Sequence, residues 1–488
     1  MVFRRSYKSD SSFLEKLSMG AAGTRQIHEN LRDYGHLPIE LERGSMSFKI
    51  WKKIKIKRVR VPDILCIRCA RRVEARAKTK LEISMSHSLA TAERGWDFGL
   101  RDGDLVGIVL CNHLGEEPTS WQASDTVNYV TVGDMRSTFA NEQAIVEKPK
   151  GAQKGFELRV TWPSSVASQV GVVTEVTSSA FKYRRAHDKG TTSVRLSKKG
   201  LNLIPLLKVG DPVHAGQVVA SVVPVYTAIQ CDNQVDAQHY AELIQSSSLS
   251  DRYTAAKALS QMDGVAVRDA LTKKMMDEAE HIYVRLEAAA GLMRKGDIHG
   301  VEFVRRCLSS SYLENRLEAV IVLGEVKGEQ SCQLLIETLM DRGQDAEIRA
   351  GAACSLGELG DRTSFEALIG SFLAVEEPIR IEAARALAKL ARKFPEDVVM
   401  ALHEAGPSQR PGIAWALSKA KTFPVTKLLQ GLVDEDSRQW IAYVLGTQEP
   451  TTYVADIERL KAQDPEVYFA VTVLWKIMSS WINGLEEY

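Results

Sequence analysis

The sequence predicts a multidomain α+β chain. It divides into a small α/β head (residues 1–90), a β-barrel-like middle domain (91–232) and a C-terminal α-solenoid (233–488). Three observations predict this. A phrase closed by leucine returns at near-constant spacing from Leu259 to Leu474. Between the head and that array, short β-branched runs alternate with Gly, Pro and Asp. The net charge of +1 also hides an asymmetry: residues 1–90 hold 20 Lys and Arg against 9 Asp and Glu, and the remainder holds 43 against 53. A basic head on an acidic body suggests a polyanion-binding module.

A length of 488 residues allows about three domains. With 44% hydrophobic and 26% charged residues the composition is that of an ordinary soluble protein. There is no apolar run of membrane-spanning length, so no transmembrane helix is expected. The basic start Met1–Arg5 is not followed by an apolar segment, which argues against a secretory signal. Seven cysteines are too few and too scattered for a disulfide scaffold. Cytoplasmic localisation is the expectation.

In the head, residues 11–34 read as one helix or two short ones: Phe13, Leu14, Leu17, Ile27, Leu31 and Tyr34 fall near helical spacing, with Gly20 and Gly23 expected to interrupt. Residues 38–43 read as a short strand. Ile54, Ile56, Val59 and Val61 then alternate with Lys and Arg, giving a long strand with one basic face. Lys53, Lys55, Lys57 and Arg58, with Arg71 and Arg72 behind them, are the candidate nucleic-acid contacts, and DNA is expected ahead of RNA. Pro62 closes the strand and Asp63 follows. Eleven residues on, Glu74, Arg76 and Lys78 alternate with Val73, Ala75 and Ala77, so the polar three share one strand face. Two carboxylates that hold a divalent cation, with a lysine to offset phosphate charge, are what phosphodiester cleavage needs.

This stretch resembles the PD-(D/E)xK, or restriction-endonuclease-like, nuclease superfamily. Pro62-Asp63 matches the first half of its motif and Glu74 opens the second. The family lysine falls at Arg76, and Lys78 lies two residues further. Arginine stays protonated and cannot shuttle a proton, so Lys78 substitutes, Arg76 supplies only charge, or the site is inactive. The resemblance implies a metal-dependent nuclease with Asp63, Glu74, Lys78 and Arg76 as catalytic residues and Mg²⁺ or Mn²⁺ on Asp63 and Glu74. A nuclease fused to recognition modules would fit antiviral defence against foreign DNA. The alternative is a non-catalytic nucleic-acid-binding scaffold or adaptor in which the motif is a relic. An early helix often supplies a further acid in that superfamily; Glu29 is the candidate, and a solvated charge is its other reading.

Cys66 and Cys69 form a tight Cys-x-x-Cys pair that can clamp one side of a zinc ion. Cys111 and His113 are candidates for the other side. The glycine usual after a zinc knuckle is replaced by Ala70. A pair of reduced cysteines without metal is the other reading.

From 91 to 232, runs such as Leu105–Leu110, Val127–Val132, Val170–Val176 and Gln217–Val223 predict an all-β module. The stretch Leu207–Ala220 resembles the closing hairpin of barrel-sandwich domains, and no carrier Met-Lys-Met is present.

After a junction at 235–251, Leu259, Leu292, Leu323, Leu356, Leu387, Leu417, Leu445 and Leu474 each close a similar phrase. An arginine stands seven residues before all but the last: Arg252, Arg285, Arg316, Arg349, Arg380, Arg410 and Arg438. These phrases resemble short HEAT-like repeats of the kind also found in bilin lyases. The resemblance implies stacked helix pairs with a shared core and a protein partner on the solenoid.

Overall fold

The computed structural model describes residues 10–41, 59–115, 120–148, 158–420, 422–448, 451, 453–469, 472–473 and 476. The chain is a mixed α+β protein with a sheet-rich N-terminal region and a C-terminal helical solenoid. It forms two compact units, the first running to Met262 and the second starting at Asp263. The helices between 237 and 259 therefore group with the sheets, not with the remainder of the repeats.

The first unit opens with α1 (Asp10–Asp33), a single 24-residue helix. Gly20 and Gly23 do not interrupt it. Gly23 has a packing role: a Cβ there would lie 2.6 Å from the Cβ of Ala77, so only glycine lets the helix approach the sheet this closely. The strands that follow are β1 (Pro38–Glu40), β2 (Ile64–Cys66), β3 (Arg72–Lys78), β4 (Ile83–His87), β5 (Leu105–His113) and β6 (Trp121–Thr131). One sheet has the order β1-β2-β3-β5-β6. Its first two pairings are antiparallel, β3 and β5 are parallel, and β5 and β6 are antiparallel.

Ile27 and Leu31 of α1 bury against Ile64, Val73, Leu105, Val109, Val127 and Tyr129 on one face of this sheet. The other face presents Val106, Ile108 and Val130 to a second core that includes Ile83, Met85, Val160 and Trp162. Helix α2 (Val132–Ala140) and strands β7 (Ile145–Glu147) and β8 (Leu158–Trp162) follow, and β8 pairs with β4. The expected boundary at 90/91 is thus not a break. Strands assigned by sequence to the middle domain pair directly with those of the head: β3 and β5 run parallel, and the chain from Thr79 to Asp104 forms the crossover that a parallel pair requires. Beyond Trp162 come short antiparallel sheets, the largest built from Gly171–Val176, Ala180–Arg185, Thr191–Arg195 and Pro212–Val213.

Helices Leu249–Leu259, Ile282–Arg294, Leu313–Glu325, Ala346–Leu359, Glu377–Ala391, Arg410–Ser418 and Glu435–Gly446 carry the repeated phrase. Leu259, Leu292, Leu323, Leu356, Leu387, Leu417 and Leu445 are all fully buried, as their spacing predicts. Leu474 lies outside the described residues.

The repeated arginines have a shared task. The Arg285 guanidinium donates to the Met275 carbonyl at 2.9 Å and Arg349 to the Leu339 carbonyl at 2.9 Å. Arg380 reaches the carbonyls of Ala374 and Val375 at 2.7 Å, and Arg438 reaches that of Leu432 at 2.7 Å. Each satisfies carbonyls in or just beyond the last turn of the preceding helix, where four would otherwise lack a partner and where a cation also suits the helix dipole. Arg410 departs from the pattern and pairs with Asp434 at 2.6 Å.

Candidate functional site

The register of β2 and β3 pairs Ile64 with Val73. Extended by one residue, it sets Asp63 opposite Glu74, and directly opposed residues share a sheet face. Asp63 Oδ2 accepts the Ala75 amide at 2.6 Å, which fixes the carboxylate against β3. Glu74 is largely buried and ion-paired with Arg76. Arg76 also donates to the Ala75 carbonyl at 3.0 Å. Lys78 turns away along the strand, and its Nζ donates to the Ser84 carbonyl at 3.0 Å and to Ser84 Oγ at 3.2 Å. Burial pushes the Lys78 ammonium down to about 8, helped by the charges of Arg76 and Arg159. The polar residues of β3 thus share a face as the alternation predicts, but Arg76, not Lys78, neighbours the glutamate.

Of the expected nucleic-acid contacts, Lys53, Lys55, Lys57 and Arg58 lie outside the described residues. Arg71 donates to the Gln230 carbonyl at 3.4 Å. Arg72 does not fit that role: its side chain is only 2% exposed and makes a bidentate pair with Asp104 at 2.8 and 2.5 Å. The alternation that sets Glu74, Arg76 and Lys78 on one face also places Arg72 there, where it meets an acidic partner that the sequence does not reveal. Glu29 is exposed on α1.

A second cluster gathers around the Cys-x-x-Cys turn. Cys66 ends β2 and Cys69 lies in the turn to β3, which Cys66 N–H closes on the Arg71 carbonyl at 2.8 Å. Ala70, where glycine is expected, has φ +57°. The backbone therefore adopts the left-handed knuckle geometry despite the Cβ, at a cost of about 1–2 kcal/mol. Ala70→Gly is expected to raise stability by about 0.5–1 kcal/mol, the relief being partly offset by greater freedom of the unfolded chain. Denaturant unfolding of the two proteins checks this.

The partners of the pair are not Cys111 and His113. Leu110 of β5 pairs with Lys78, whereas Cys66 lies level with Arg71, so Cys111 sits roughly 25 Å along the sheet at about 3.3 Å per residue. Cys111 is buried beneath α1, and His113 packs edge-on against Trp121. Instead His36, in the turn after α1, and Cys231, late in the first unit, join Cys66 and Cys69. Their ligand atoms all lie within 4.8 Å of one another. Cys66 Sγ is 3.9 Å from Cys231 Sγ, and Cys69 Sγ is 3.5 Å from His36 Nδ1. The Cys66 thiol is pushed down to about 3, first by its hydrogen bond with Cys69 and further by His36 and the amides of Leu37 and Cys69. The same bond and burial push Cys69 up. His36 and Cys231 were beyond sequence reasoning because they stand 30 residues before and 165 residues after Cys66. The available signal was weak: an unassigned cysteine in the polar stretch Gln230–Asn233.

The comparisons with known proteins concern the helical part. Residues 270–357 and 301–388 match the family of HEAT repeats. Three solved structures are similar at low identity. The complex of CpcE and CpcF of phycocyanin lyase from Nostoc sp. PCC7120 is 19% identical, over 50% of this chain and 95% of that chain, with a TM-score of 0.26. An engineered protein is 19% identical over 48% and 76%, with a TM-score of 0.25. Human deoxyhypusine hydroxylase in complex with glycerol is 19% identical over 43% and 83%, with a TM-score of 0.19. No curated protein matches the chain. Among the described residues, no helix is long and apolar enough to cross a membrane.

Proposed function

We propose that the chain is a HEAT-repeat adaptor. Its solenoid binds a protein partner, and its N-terminal unit carries a degenerate nuclease-type site that does not cut. The observation that carries this reading is the HEAT-repeat match over residues 270–388. Supporting it, a cleft of about 430 Å³ opens among Phe372, Arg380, Ile381, Arg385, Pro411 and Trp415. Beside it Leu373 and Val375 are exposed. Tryptophan and arginine are enriched among the residues that carry most of the energy of protein interfaces. The loss of catalysis follows from Arg76: it stands in the lysine position and holds Glu74, while Lys78 Nζ is engaged at Ser84.

The opposition of Asp63 and Glu74 on one sheet face favours a second reading, an active Mg²⁺- or Mn²⁺-dependent nuclease. Here both carboxylates would hold the ion, which would supply a metal-bound water as nucleophile. The sheet order, with α1 over a β3–β5 parallel pair, agrees with such a core, and the short sheets beyond it with a barrel-sandwich-like module.

One experiment separates the readings. The purified full chain is incubated with plasmid, linear DNA and RNA in Mg²⁺, Mn²⁺ or EDTA. The adaptor leaves all substrates intact in every condition. Cleavage that needs metal and is lost in both Asp63→Ala and Glu74→Ala overturns the adaptor and establishes the nuclease. For the adaptor, Trp415→Ala is expected to weaken partner binding at least about tenfold; unchanged affinity removes the cleft from the interface.

A further inference from the structure

We propose that His36, Cys66, Cys69 and Cys231 form a structural zinc site that ties the segment leaving the sheets to the N-terminal knuckle. The geometry suits the ion. With Zn–S about 2.3 Å and Zn–N about 2.0–2.1 Å, a tetrahedron requires S···S near ~3.8 Å and S···N near ~3.5 Å. Two of the six edges are 3.9 Å, between Cys66 and Cys231, and 3.5 Å, between Cys69 and His36 Nδ1, and all six are within 4.8 Å.

The surroundings are those of thiolate ligands. His36 Nε2 lies 2.9 Å from the Ile229 carbonyl. A proton on Nε2 donates there, which leaves the Nδ1 lone pair facing the sulfurs, the outer-shell arrangement that fixes a metal-binding tautomer. The Leu37 amide donates to Cys66 Sγ at 3.4 Å. Three thiolates and a neutral imidazole around Zn²⁺ carry a net charge of −1. Arg68 and Arg71 flank the cluster, held on the Gly35 carbonyl at 2.8 Å and the Gln230 carbonyl at 3.4 Å, and offset that charge. All four positions are filled by protein, so the ion has no open site for substrate and its role is structural.

The ligands come from three places in the first unit: the turn after α1, the β2–β3 turn, and the segment before the helix Ala237–Leu243. Val235 N–H donates to the Arg68 carbonyl at 2.7 Å and Tyr240 Oη to the Ile67 carbonyl at 3.1 Å, so the cluster sits where that segment is laced to the knuckle. Binding replaces the thiol protons by zinc and releases them to solvent; no redox step is involved.

The test uses the full chain purified under reducing conditions, with zinc measured by elemental mass spectrometry and the site exchanged to Co²⁺ for visible spectroscopy. The expected result is one zinc per chain and sulfur-to-cobalt charge-transfer absorption. That absorption should fall by about one third in Cys231→Ser, one thiolate of the three being lost. His36→Cys should retain the metal, while Cys111→Ser and His113→Ala should leave it unchanged. If Cys231→Ser does not fold, alkylation of the intact protein gives an independent reading: chelator should unmask Cys66, Cys69 and Cys231 together. The proposal is overturned by folded protein that takes up no stoichiometric zinc, by a Cys66–Cys231 disulfide in freshly isolated protein, or by metal that follows Cys111 and His113.

Discussion

Leu356→Asp is expected to melt the middle of the solenoid. Leu356 is fully buried in the helix Ala346–Leu359. Its surroundings leave no room for a solvated carboxylate. A Cβ on Gly357 would lie 2.7 Å from Ala386 Cα, and one on Gly324 would lie 2.8 Å from Ser355 Oγ. Ser355 also donates to the Val320 carbonyl at 2.9 Å, so the neighbouring repeat is fixed in place. Truncation to alanine costs about 2–5 kcal/mol through lost burial and the cavity left behind. An unpartnered buried charge adds several more. Because each repeat rests mainly on its neighbours, the damage should spread to both flanking repeats. Far-ultraviolet circular dichroism should show a large loss of helix, and Leu323→Asp should behave alike. A native spectrum with an unchanged melting temperature would contradict the buried stripe.

Arg72→Ala is expected to cost the N-terminal unit about 3–5 kcal/mol, the penalty for breaking a buried ion pair from one side. Arg72 and Asp104 side chains are 2% and 5% exposed. Arg72 also donates to Ser250 Oγ at 3.1 Å and lies 3.5 Å from Asp251, so it joins β3 to the helix Leu249–Leu259. Without it, the Asp104 carboxylate keeps the Arg101 amide at 2.7 Å but, among the described residues, no charged partner. The double variant Arg72→Met/Asp104→Leu should recover much of the loss, since apolar groups of similar size remove the charge and its partner together. A single variant within about 1 kcal/mol of the parent would show the pair to be solvated, as surface pairs are.

The repeats were legible because their signal is local and multiplied. A leucine that packs against the next helix recurs with the helix pair, and a period needs no knowledge of distant contacts. The face shared by Glu74, Arg76 and Lys78 was legible for the same reason, as strand alternation is a property of neighbours. What the sequence did not disclose lies at long range. The partner of Arg72 is 32 residues away, the parallel neighbour of β3 follows a crossover, and Cys231 returns to Cys66 after 165 residues. By sequence Gly23 looks like a helix breaker, because its reason for being glycine, the close approach of Ala77, is a tertiary contact. Ala70 shows the converse: the turn formed although its usual residue is missing.

The parallel ladder between β3 and β5 bears on how this chain can be divided. Six residue pairs, from Val73–Leu105 to Lys78–Leu110, join strands on either side of residue 90. A gene fragment ending there would leave β3 with an open row of amides and carbonyls along its outer edge, next to apolar Val73, Ala75 and Ala77. Such an edge recruits strands from other molecules. The motif-bearing segment is therefore not a portable cassette. Any fusion, transplant or expression fragment meant to carry Asp63 and Glu74 must also carry the chain through β6.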